Sequence, residues 1–169
     1  MTISLYAASV PVFKQMLSSM SAMLAKAEAY ATAKNIEPNA LLQARLYPDM
    51  FHLIRQVQVA AEFARSVPAR LAGLEPPKVD GTEKSFAELQ TLIATALAYL
   101  DGFTAVQIDG QESREIILRP GTPKEKKFNG QSYLLNYALP QFFFHVTTAY
   151  AILRHNGLEV GKRDYMGTY

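Results

Sequence analysis

The stretch QFFFHVTTAYAILRHNG, Gln141 to Gly157, decides how this chain is read. Phe142, His145, Ala149 and Ile152 recur at intervals of three and four, so they share one face of a helix, and Gly157 follows where a helix stops. The same stretch holds two of the three histidines, His145 and His155. Ten residues at about 100° and 1.5 Å each set them roughly 80° apart around the helix and about 15 Å apart along it, so an unbroken helix cannot bring both to one metal ion. His145, on the apolar face, reads as a buried or half-buried residue hydrogen-bonded to the second long helix or to backbone. His155, in the last turn, reads as a helix-end residue beside the partial negative charge of the C-terminus.

Working outward, this fourth long helix runs from about Gln131 to Asn156, bent near Pro140. Before it, Val106 to Phe128 has strand and turn grammar: REIIL is β-rich, RPGTP is a turn and KEKKF returns, which predicts a short β-hairpin. The third long helix starts at SFAEL, where Ser85 and Glu88 have capping-box spacing, and ends at Gly102. EPPKVDGT is the clearest loop. The second long helix is predicted to open at Pro48 and Asp49, to bury Leu53, Ile54, Val57, Ala60, Ala61 and Ala64, and to end or kink at Pro68. Glu37 to Leu46 reads as a short helix, and Ser9 to Lys34 as the first long helix, with Pro11 in its opening turn and Asn35 as its stop. Four long helices with a hairpin between the third and fourth predict an all-α four-helix bundle, one domain over residues 1–169.

The totals exclude several classes. A net charge of +2 is too small a field to hold a polyanion, so nucleic acid is not implied. Without cysteine there is no disulfide, thiolate ligand or cysteine nucleophile. The N-terminus MTISLYAASVPVF lacks the grammar of a secretion signal, and no apolar run is long enough to span a bilayer, so a cytoplasmic protein is expected. No phosphate-binding glycine loop, nucleophile elbow or H-E-x-x-H occurs.

The segments LYPDMFHLIRQVQVA (Leu46 to Ala60), SFAELQTLIATALAYL (Ser85 to Leu100) and above all FFFHVTTAYAILRHNGLEVGKRDYMG (Phe142 to Gly167) resemble the DUF1993 family, a bacterial group that looks like a branch of the DinB/YfiT-like superfamily of metalloenzymes. The resemblance covers nearly the whole chain. It implies a DinB-like four-helix bundle, a homodimer, and a divalent metal (zinc, nickel or manganese) held by one histidine on the second helix and an H-x-x-x-H pair on the fourth. Carried across, His52 is the second-helix ligand, but the pair is absent: Ala149 stands four residues after His145, and Ala151 four before His155.

Two readings of the site follow. Asp49, His52 and Gln56 at i, i+3 and i+7 form one strip of the predicted second helix, opposite His145. In the favoured reading these residues, with Arg55 and Tyr150, bound a pocket for a small molecule or partner, and the metal triad is incomplete. In the alternative, His52, His145 and Asp49 hold the metal of a thiol-transferase-like enzyme. The plain alternative is that Asp49 is a first-turn acid, His52 a flank residue, Gln56 surface polarity, and Tyr47, Tyr133, Tyr137 and Tyr150 packing residues. Lys162, Arg163 and Asp164 lie over the bundle mouth if the tail folds back.

Overall fold

The computed structural model describes residues 3–169, and among these four long helices carry the architecture. The first, α1 (Val10–Lys34), has Pro11 in its opening turn, where no backbone donor is lost, and ends at Asn35, whose φ of 52° is the left-handed conformation that terminates helices. After α2 (Pro38–Leu42) the chain departs from expectation, because the second long helix, α3 (Leu53–Leu71), begins five residues beyond Pro48. Pro48 and Asp49 are instead the central residues of a turn closed by the Met50 N–H on the Tyr47 carbonyl. Proline's fixed φ suits that position as well as a helix start, which is why the sequence pattern misleads here.

Pro68 does not end α3 either; the helix runs on to Leu71. Val67, Ala69 and Leu71 are all fully buried around it. Burying such side chains contributes on the order of 1.5–3 kcal/mol for each large one, enough to offset the lost hydrogen bond of an interior proline. The third long helix, α4 (Phe86–Leu100), has both bonds of the Ser85–Glu88 capping box. A short α5 (Ala105–Ile108) leads to β1 (Glu115–Leu118) and β2 (Lys126–Asn129), an antiparallel hairpin with Ile116 opposite Phe128.

The last long helix is built in three parts: a single turn α6 (Gly130–Ser132), a π-helical stretch Tyr133–Ala138, and α7 (Leu139–His155). The wide turn lets the Leu139 N–H reach the Leu134 carbonyl just ahead of Pro140, which has no N–H to offer. The bend expected at Pro140 is thus absorbed as a π-turn. The tail folds into α8 (Lys162–Met166) against α1, where the Ser19 hydroxyl donates to the Asp164 and Tyr165 carbonyls and Lys26 pairs with Asp164.

In the packed bundle α3 lies along α7 and α4, and α1 along α4. Phe13 of α1 meets Phe142 of α7 edge to face at 4.8 Å. The core is one apolar cluster drawn from all four long helices, closed at one side by Ile116 of the hairpin. Among the described residues no helix is long and apolar enough to cross a membrane.

Gly130 joins the hairpin to the last helix with no room for a side chain, since a Cβ there would overlap the Gln111 carbonyl oxygen. Gly130→Ala is expected to cost about 1–3 kcal/mol through forced backbone displacement. The thermal midpoint should fall by about 2–4 °C per kcal/mol for a chain of this size.

Candidate functional site

A cleft of about 850 Å³ opens between α3, α7 and the hairpin. Arg55, Val59, Glu62, Ser66, Arg70 and Gly73 line it from α3 and its C-terminal turn. Their spacing of four, three, four, four and three is one helical face. Gln141 and His145 line it from α7, with Tyr137 from the π-helical stretch, and Arg114 to Pro120 close it from the hairpin side.

His145 is the best-defined side chain of this cleft. It is 7% exposed, and its Nδ1 lies 2.7 Å from Oε1 of the buried Gln56. The orientation of that amide is set from behind, because Gln56 Nε2 donates to the Phe51 carbonyl at 3.0 Å. Its oxygen must therefore face the imidazole as acceptor, and His145 must carry its proton on Nδ1. The other ring nitrogen, Nε2, has no partner among the described residues and is not sealed from solvent, so it is an open lone pair on a side chain that lines the cleft. Burial, helped by the positive charge of Arg55, lowers the histidine's pKa from 6.5 to about 4, so the ring is neutral at pH 7. The imidazole runs nearly parallel to Phe51 and Phe63, both with centroids at 6.4 Å, and meets the edge of Phe144.

The residues predicted as a site are only partly brought together. Arg55, Gln56 and His145 meet: Gln56 bonds His145, and Arg55 lies over the Phe51 ring, its Nη1 donating to Gln58. The Asp49–His52–Gln56 strip does not exist, because α3 starts at Leu53 and Asp49 sits exposed in the preceding turn. His52 is the N-cap of α3: its Nδ1 accepts the Arg55 N–H at 3.3 Å, and burial, then Arg45 and Arg55, lower its pKa. It borders a different hollow, with Gln43, Gln58 and Glu83. His52, His145 and Asp49 therefore do not converge, and among the described residues no three of His, Asp and Glu form a group able to hold a metal ion.

Tyr150 is also displaced from the expected pocket, packing edge-on against Tyr165 of α8 at 5.7 Å. Lys162, Arg163 and Asp164 lie with α8 on α1, away from the cleft. His155 is the exposed last residue of α7. Sequence reasoning missed Phe51, Phe63, Ser66, Arg70, Arg114 and Gln141. The signal present was the recurrence of Arg55, Ser66 and Arg70 on one face of α3, opposite the apolar stripe, and Gln141 one turn before His145.

The family model named as a domain of unknown function, DUF1993, matches residues 5–166. A crystal structure of a DinB family member protein from Shewanella denitrificans is similar over 98% of this chain and 93% of that one, at 42% identity and a TM-score of 0.91. No curated protein matches.

Nitrogen NMR should find His145 neutral at pH 7 with its proton on Nδ1, titrating near 4. The unfolded chain then takes up this proton first as the pH is lowered. The histidine's contribution to stability is complete above about 6.5 and declines toward 4, a decline His52 shares and His145→Leu reduces. Gln56→Leu leaves the Nδ1–H without an acceptor and should cost about 1–3 kcal/mol in denaturant unfolding.

Proposed function

The chain belongs to the DUF1993 family, and from that premise we propose that it binds a small molecule in the cleft, with Nε2 of His145 accepting a hydrogen bond from the ligand. The observation that carries this reading is the Phe51–Gln56–His145 relay, which holds a neutral imidazole in one tautomer with its lone pair free. A buried histidine needed only for packing has no use for an open nitrogen on a cleft wall lined by Phe51, Phe63 and Tyr137.

A divalent-metal-dependent enzyme of the thiol-transferase kind is the second reading, and the same nitrogen favours it, because neutral imidazole is the form that binds zinc, nickel or manganese. The donor set around it fits such a metal poorly. Beside His145 stand the neutral amides of Gln56 and Gln141, and His52 already spends Nδ1 on capping α3. A homodimer belongs to the proposal as well, supported by the exposed rings of Tyr47, Phe51 and Phe144. Light scattering at twice the 18.8 kDa chain mass supports it, and a clean monomer removes it.

A fragment screen by NMR is expected to find ligands that perturb His145 and bind at least tenfold more weakly to His145→Phe. Elemental analysis of protein purified without chelator decides between the readings. About one metal per chain, lost in both His52→Ala and His145→Ala, overturns the metal-free reading; protein still metal-free after incubation with zinc, nickel and manganese supports it.

A further inference from the structure

The far end of the cleft has a different chemistry. Arg70 and Arg114 meet there around Gly73, at the C-terminal turn of α3. Arg70 is seven residues beyond Phe63, the α3 ring that stacks on His145, so about 10 Å of helix axis separates this end from the histidine's aromatic contact. Both arginines are half-buried and held in place. Arg70 Nη1 donates to the hydroxyl of the fully buried Tyr133 at 3.1 Å, and Arg114 Nε donates to Gln111 Oε1 at 2.9 Å. Arg114's guanidinium packs against Gly73, where a Cβ would come within 2.5 Å of Nη1. Only a glycine admits the guanidinium that close, and its φ of 75° suits the same residue.

Among the described residues these guanidinium groups are without counter-ions. The three ion pairs among the described residues are all made by lysines. Glu62, Glu75 and Glu115 border the cleft, yet none pairs with Arg55, Arg70, Arg114 or Arg119. An arginine that is positioned through one nitrogen and leaves the rest of its planar fork open is preorganised for a carboxylate or phosphoryl group. Between the two ends, Phe63 and Tyr137, with ring centroids 6.1 Å apart, give the cleft an apolar middle.

We propose that the Arg70–Arg114 end of the cleft receives the anionic head group, carboxylate or phosphoryl, of an elongated small molecule whose apolar body lies along Phe63 and Tyr137 toward His145. This rests on the small-molecule reading above and narrows it to amphipathic organic anions. The cleft then discriminates by charge at one end and by a hydrogen-bond donor at the other.

The test compares 4-phenylbutyrate with 4-phenylbutan-1-ol, equal in ring and chain but different in charge, by NMR titration of the full chain at low salt. The carboxylate should bind at least tenfold more tightly and shift the Nε–Hε signals of Arg70 and Arg114. Arg114→Gln should bring its affinity down to that of the alcohol, and Arg114→Lys should recover part of it; Arg70→Gln should do as Arg114→Gln does, with melting curves confirming the fold. Inorganic phosphate and acetate, titrated alone, assign the head group by which of them shifts the two arginines. An alcohol that binds as tightly as the carboxylate overturns this inference and leaves the cleft reading standing. Binding of neither overturns both, and the wild-type comparison decides the matter even if a variant unfolds.

Discussion

A single buried amide–imidazole bond, Gln56 to His145, sets how α3 sits on α7. Both partners are nearly sealed from solvent, so neither can slide along the other helix without leaving a polar group unsatisfied. The register it imposes recurs along the antiparallel pair: Phe63 faces Tyr137, and Arg70 reaches Tyr133. Apolar packing alone would tolerate alternative offsets against an α3 face rich in alanine and valine; a buried polar pair does not.

The cleft is a consequence of that register together with the irregular start of the last helix. The π-helical turn carries Tyr133 and Tyr137 toward α3 and the hairpin, where both rings pack on Phe128. The hairpin is held to this turn by the close backbone contact at Gly130 and by the Gln131 N–H on the Glu112 carbonyl. Arg114 is thereby placed over the end of α3, and a surface arginine of the sequence becomes part of a concave wall.

How far the candidate site could be foreseen varies residue by residue. Arg55, Gln56 and His145 were legible because each lies within a periodic helix, where spacing determines the face. Asp49 and His52 were misplaced because proline suits the start of a helix and the second position of a turn equally, and spacing cannot choose between them. Residue type alone points Tyr150 to the pocket, while its ring on α7 packs against Tyr165 of the tail. Arg70 and Arg114 come from segments 44 positions apart in the numbering, and no local pattern relates them.

By itself the amino-acid sequence determined the four long helices, the capping box at Ser85, the hairpin and the family, since each depends on periodicity, caps, turns or resemblance carried by neighbouring residues. Tertiary structure decided that α3 starts at Leu53 and outlasts Pro68, that His145 keeps one nitrogen bonded and the other open, and that arginines from distant segments share a cleft with it. These outcomes depend on burial and on contacts between residues distant in the chain, whose energies of a few kcal/mol exceed the local preferences that a sequence displays.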